Sequence, residues 1–176
     1  LLIFLNRTCY NGLYRVNSKN EFNVPFGKYH RPKICNEGTI LHNSLLLQKV
    51  IILNGGYADT LKYATKNTFF YLDPPYKPIS KTSSFTSYAA AAFDDEQQAQ
   101  LSRFCKKLDA AGHHWLLSNS DVKNTGGENN FFDELYHGFT IQRIKARRAI
   151  NSNAARRGKI FELLIANYEM AEWDEE

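Results

Sequence analysis

The chain reads as an α/β protein: a parallel strand–helix–strand unit closed by two antiparallel strands, behind a small, mostly helical front region carrying a β-hairpin. Three observations predict it. The short apolar strand "TFFYL" (68–72) is followed by the amphipathic run "DDEQQAQLSRFCKKLDAAG" (94–112) and then by "HHWLLS" (113–118), the order of a right-handed parallel crossover. Two further β-rich segments, "FTIQRIK" and "KIFELLIANY", flank a basic stretch of about a dozen residues and suit an antiparallel pair. Residues 1–66 instead mix short helical runs with turn-rich, polar-aromatic sequence, and residues 67–176 form the sheet-bearing part.

In the front part, "RVNSKNEFNVPFG" alternates around a Ser-Lys-Asn turn between Arg15 and Gly27 and predicts the hairpin. "SLLLQKVIIL" predicts a helix from a Ser44 cap to the Asn54-Gly55-Gly56 stop, and "ADTLKYATKN" a shorter one. In the second part Asp94 is placed to cap the long helix, with Gln97 at the capping-box position and Gly112 as its end. Leu101, Phe104, Cys105, Leu108 and Ala111 recur at three- and four-residue steps and form its buried stripe. "NNFFDELYHG" predicts one more short helix.

Composition fits a folded globular chain: 176 residues, 43% hydrophobic, 14% aromatic and 23% charged. No apolar run approaches the roughly 20 residues that cross a bilayer. "LLIFL" lacks a basic leader, so it is not read as a signal peptide, and the missing initiator methionine places Leu1 inside a longer natural chain. Cys9, Cys35 and Cys105 are odd in number and far apart, which suits reduced thiols in a cytoplasmic protein. The histidines show no ligand spacing, and His113 and His114 open a strand on opposite faces, so no structural metal is expected.

The net charge is only +4, but it is unevenly spread. "RIKARRAINSNAARRGK" (143–159) has seven basic residues and no acidic one, while Arg7, Arg15, Lys19, Lys28, Arg31 and Lys33 face Glu21 alone between residues 7 and 33. Basic clusters separated from acidic ones make a polyanion-binding face.

The remaining question is the end of the first strand, "FFYLDPPYKPIS" (69–80). Two prolines remove two backbone donors, fix two φ angles and push the preceding residue out of helical space. The segment after Leu72 is therefore a stiff extended path, and Asp73 lies at the carboxyl edge of a parallel sheet, where such sheets bind ligands.

"LDPPY" at 72–76 resembles the catalytic motif of S-adenosylmethionine-dependent methyltransferases acting on exocyclic amino groups, which share a Rossmann-like class I sheet. "NRTCYNGLYRVNSKNEFNVPFGKY" (6–29) resembles the target-recognition signature of Dam-type DNA adenine methyltransferases, and "FDDEQQAQL", "LLSNSD" and "RRAINSNAARRGK" are similar to that group's later segments, in order. The resemblance implies site-specific methylation of adenine in double-stranded DNA, with GATC the implied target and S-adenosylmethionine the methyl donor. It implies catalytic roles for Asp73, Pro74, Pro75 and Tyr76, with Asp73 also on the cofactor side. The carboxylate of Asp73 and the carbonyl of Pro74 would accept the amino hydrogens of an adenine flipped out of the duplex, and Tyr76 would stack on it. Arg15 would read a guanine; Leu13 and Pro25 would meet thymine methyls; Tyr10 would enter the base stack with Asn11 in support. Lys28 and Tyr29 would lie along the DNA, and Arg147, Arg148, Ser152 and Asn153 would contact phosphates.

Members of that family begin with a Trp-x-Gly-Gly-Lys segment, a glycine-rich F-x-G-x-G turn and an acidic residue for the cofactor ribose. None of these occurs in residues 1–176. The chain is thus expected to hold the second half of the methyltransferase sheet and to be inactive alone. Methylation of ribosomal RNA, or a DNA-binding remnant without activity, stand as alternatives. Oligomeric state and biological setting stay open.

Overall fold

The computed structural model describes residues 1–17, 19–79, 93–125, 129–147 and 159–171, with backbone only at 125, 147 and 159. Contacts divide the chain into two compact units, Leu1–Gly56 and Tyr57–Glu176.

In the first unit, helix α1 (Leu2–Thr8) ends where the Thr8 hydroxyl donates back to the Phe4 carbonyl at 2.8 Å. A 3-10 turn, Tyr10–Gly12, follows, with Asn11 and Gly12 at φ of 55° and 60°. The expected hairpin takes the form of two isolated antiparallel bridges, Cys9–Phe26 and Val16–Phe22, rather than paired strands. Asn17 contributes to this, because its side chain competes for backbone groups a ladder would use. Asn17 Oδ1 accepts from the amides of Lys19 and Glu21, at 2.9 and 3.0 Å.

Helix α2 spans Glu37–Leu47, so Ser44 lies inside it and is not its cap. Glu37 in the first turn favours the earlier start, since an acidic side chain complements the helix dipole there. The β-branched run Val50-Ile51-Ile52 does not continue the helix.

The second unit opens with a 3-10 helix, Tyr57–Tyr63, where the sequence suggested a helix reaching Asn67. Threonine hydroxyls shorten it: Thr60 donates to the Tyr57 carbonyl, and Thr68 Oγ1 accepts from the Thr65 amide at 2.7 Å. The Tyr57 ring packs on Phe104, with centroids 5.1 Å apart.

Four strands follow: β1 (Phe69–Leu72), β2 (His114–Ser120), β3 (Thr140–Arg147) and β4 (Lys159–Ala166). They form one sheet in the order β1-β2-β4-β3. The β1–β2 pair is parallel, and β4 is antiparallel to both β2 and β3. The parallel unit and the closing antiparallel pair are those expected, with β4 inserted between β2 and β3.

Helix α3 (Asp95–Ala110) connects β1 to β2 in sequence. Its capping box is formed as the sequence predicted: Asp94 accepts from the Gln97 amide at 3.0 Å, and the Gln97 side chain reaches back to the Asp94 amide. Gly112 follows at φ +76°. The strand opens at His114, not His113, whose amide instead closes the end of α3 on the Leu108 carbonyl at 2.9 Å. Helix α4 (Phe131–Leu135) precedes β3.

The core lies between α3, α4 and one face of the sheet. Leu101, Phe104, Cys105 and Leu108 of α3 meet Phe70 and Leu72 of β1, Trp115 and Leu117 of β2, and Leu163 and Ile165 of β4. Leu108, Trp115, Leu117, Phe132, Tyr136, Leu163 and Ile165 are wholly buried. Each of the leucine, isoleucine and phenylalanine side chains among them contributes about 1.5–3 kcal/mol by leaving water. No helix among the described residues is long and apolar enough to cross a membrane.

Candidate active site

Strands β1 and β2 start together, Phe69 opposite His114, but β1 has four residues and β2 seven. Beyond Leu72–Leu117, Ser118, Asn119 and Ser120 therefore have no strand of the described residues beside them on that edge. The segment from Asp73 to Lys77 fills the place, and all three β2 side chains bond to it or to one another.

Ser118 Oγ donates to Asp73 Oδ1 at 3.1 Å and accepts from the Tyr71 hydroxyl at 3.4 Å. Asn119 Oδ1 accepts from the Lys77 amide at 3.0 Å, and the Ser120 hydroxyl donates to the Lys77 carbonyl. From α3, Gln98 Nε2 donates to the Pro75 carbonyl at 3.1 Å. Among the described residues no donor reaches the carbonyl of Pro74. Asp73 and Pro75 are exposed, Pro74 is half-buried, and Tyr76 is 38% exposed. Partial burial pushes the Tyr76 phenol above its ordinary value; Ser118 pulls the other way, and the carboxylates of Glu162 and Asp73 add to the rise. Lys77 pairs with Asp95 and stands 4.3 Å from the centre of the Phe131 ring.

The edge thus presents an exposed carboxylate, a neighbouring free carbonyl and an aromatic face. The sequence reading put Asp73 to Tyr76 at this edge but did not name the groups that bond to the 73–77 segment: Ser118, Gln98, Asn119 and Ser120. The signal was in "LLSNSD", whose run of small polar residues breaks the apolar character of a buried strand.

In the first unit, six of the expected DNA-reading residues are drawn together around the Cys9–Phe26 bridge. The Tyr10 amide donates to the Pro25 carbonyl at 2.7 Å, and the Asn11 amide to the Tyr29 hydroxyl at 2.9 Å. Leu13 is half-buried; Tyr10, Pro25, Lys28 and Tyr29 are exposed. Gly27 allows the close approach, because a Cβ there would lie 2.7 Å from the Cys9 carbonyl and 2.4 Å from the Tyr29 ring. Arg15 stands on the Val16–Phe22 arm. Its Nε donates to Asn23 Oδ1 at 2.8 Å and one Nη to the Asn23 carbonyl at 2.9 Å. Two of its five N–H groups are held and three remain.

Arg147 ends β3 opposite Lys159, and Arg148, Ser152 and Asn153 lie outside the described residues. One member of the basic run is corrected. Arg143 is engaged internally, by Nε to Asp121 Oδ2 at 3.0 Å and by one Nη to both Asp133 oxygens at 2.8 Å. Burial would lower its pKa, but the two aspartates outweigh this and raise it. Asp121 is 3% exposed, so a charge there has to be paired, and Arg143 is spent on that task.

The family description "D12 class N6 adenine-specific DNA methyltransferase" matches residues 1–150. The chain belongs to this family. It is 49% identical over 167 residues to the Type II methyltransferase M.MjaIII of Methanocaldococcus jannaschii, covering 94% of this chain and 56% of that relative. Type II methyltransferase M1.LlaDCHI of Lactococcus lactis subsp. cremoris is 40% identical over 169 residues, with 95% and 57% covered. The DNA adenine methylase of Escherichia coli K12 is 38% identical over 164 residues, with 93% and 56% covered. This D12-class chain therefore spans rather more than half the length of the curated relatives it matches.

Proposed function

We propose that the protein containing this chain transfers a methyl group from S-adenosylmethionine to the exocyclic amino group of an adenine flipped out of duplex DNA, within GATC. Family membership supports the reaction class. The observation that carries the site is the pairing of an exposed Asp73 carboxylate with a free Pro74 carbonyl at the end of β1, while the next carbonyl, of Pro75, is tied down.

An adenine amino group is a weak nucleophile because its lone pair is delocalised into the ring. Two acceptors on its hydrogens draw the nitrogen towards tetrahedral geometry and localise that pair. Asp73 and the Pro74 carbonyl are two such acceptors, fixed beforehand by the prolines, so little reorganisation is left for the transition state. The exposed Tyr76 ring offers the flipped base a stacking surface. Bound S-adenosylmethionine supplies an electrophilic methyl. Of the groups that would hold it, this chain contributes the Asp73 edge.

Arg15 reads a guanine through its three remaining N–H groups, with Leu13 and Pro25 on thymine methyls. Tyr10 enters the stack with Asn11 behind it. Lys28, Tyr29, Arg147, Arg148, Ser152 and Asn153 supply salt-sensitive contacts along the DNA that carry no sequence information.

The test uses the native-length protein, labelled S-adenosylmethionine and two duplexes that differ only as GATC and GTTC, with Asp73→Ala as control. Label on the GATC adenine alone, lost in the variant, is the expected result. Equal label on both duplexes would discard the reading of Arg15 and Leu13. No label on DNA would move the assignment to an RNA acceptor or to a DNA-binding remnant, and an RNA arm separates these.

A further inference from the structure

Two buried amides hold the backbone of the candidate catalytic segment, and their hydrogen bonds admit one orientation only. The Lys77 amide is a donor, so the oxygen of Asn119 has to face it; that oxygen also accepts from the Ser120 amide at 2.9 Å. The nitrogen of Asn119 is then turned to Gln98, donating to Oε1 at 3.2 Å. The oxygen of Gln98 being used, its nitrogen is left for the Pro75 carbonyl. Each step follows from the fixed donor or acceptor character of the one before. Gln98 and Asn119 are both 0% exposed, and two buried primary amides are tolerated only when their polar groups are matched in this way.

The relay starts on the amide of residue 77 and ends on the carbonyl of residue 75, so it grips the chain on the far side of the two prolines. Ser118 holds the near side through Asp73. Between the two grips lies the Pro74 carbonyl. From this we infer that Gln98 and Asn119 are positioning residues for amino-group methylation: they orient the 73–77 backbone so that the Pro74 carbonyl, not that of Pro75, faces the substrate beside Asp73. The inference rests on the function proposed above and adds to it two residues that touch neither base nor methyl donor.

The experiment measures single-turnover methyl transfer by the native-length enzyme at saturating S-adenosylmethionine and GATC duplex. Gln98→Met keeps the length of the side chain and removes both of its bonds. Asn119→Asp keeps the shape and the bonds to Lys77 and Ser120, but it loses the donor to Gln98 and so reverses the polarity of the relay. Misfolding of part of the sample lowers the amplitude of the turnover, whereas misplacement of the Pro74 carbonyl lowers its rate constant. The expected result is a rate constant reduced by about 100-fold in both variants, the cost of an ångström-scale displacement of a reacting group, with amplitude and duplex affinity retained.

Wild-type rate constants, with only amplitude or melting temperature reduced, would overturn the inference and leave the amides a role in stability alone. Where Gln98→Met fails to fold, the isosteric Asn119→Asp decides on the same criterion. The parallel Asp73→Ala arm separates the two layers. Absence of methyl transfer by the wild-type enzyme would remove the proposed function itself, activity surviving in Asp73→Ala would remove the catalytic assignment of Asp73, and its loss together with unimpaired amide variants would remove only the relay.

Discussion

The hydroxyl of Ser118, in the overhang of β2, donates to Asp73 Oδ1 at 3.1 Å, joining two residues 45 positions apart. That contact exists because β2 is longer than β1, and it fixes one carboxylate oxygen while the other accepts no hydrogen bond among the described residues. Ser118→Ala should slow single-turnover methyl transfer about tenfold, the worth of one hydrogen bond to a charged group, and leave duplex binding unchanged. A rate equal to wild type would show that the prolines alone aim Asp73.

Gly27 lies where a side chain has no room: an added Cβ would meet the Cys9 carbonyl and the Tyr29 ring. Gly27→Ala should therefore force apart the Cys9–Phe26 bridge and the Asn11–Tyr29 bond, costing about 1–3 kcal/mol of overpacking strain. Duplex affinity should fall with it. Thermal melting with a binding titration checks both, and an unchanged affinity would separate this cluster from DNA recognition.

Asp133 gives stability a pH dependence of known sign. Burial pushes its carboxyl up, but hydrogen bonds from Arg143 and Lys123 outweigh this and hold it below the ordinary 3.8. A carboxyl depressed in the folded state stabilises it above that ordinary value, and the contribution is lost as pH falls below 3.8 towards the folded value. Asp133→Asn should lower the urea midpoint at neutral pH, and the gap to wild type should close under more acidic conditions. A gap that stays constant with pH would mean that the ion pairs contribute nothing.

The cysteines should differ in reactivity. Burial pushes the Cys105 thiol up to about 12, with the Tyr136 hydroxyl pulling weakly the other way, so it stays protonated under mildly basic conditions. A protonated, buried thiol is not a nucleophile. Cys35 is exposed and should be the first alkylated, whereas Cys105 should react only on unfolding; mass spectrometry of timed samples reads this directly.

Local chemistry was legible where one stretch of sequence contains its own answer. Asp94 and Gln97 form their capping box within one turn, and the stripe from Leu101 to Leu108 is the buried face of α3, although Ala111, expected to extend it, is exposed and follows the helix. The α2 boundary was misread because Ser44 ahead of an apolar run was taken as a cap, whereas the helix already runs from Glu37 and stops before the β-branched Val50, Ile51 and Ile52. The hairpin was read from alternation, whereas the Asn17 side chain takes the Lys19 and Glu21 amides and two isolated bridges form in place of a ladder.

From the sequence alone came the α/β class, the parallel unit, the stiff Asp73–Tyr76 segment and the resemblance that names its chemistry, because each depends on residue types at short spacing. Only the tertiary structure decided what that segment leans on. Gln98, Asn119 and Ser118 reach it from a helix and a strand more than twenty residues away, and Arg143 leaves the basic run for Asp121 and Asp133. Those partners depend on strand length, register and side-chain direction after folding, which no local pattern encodes.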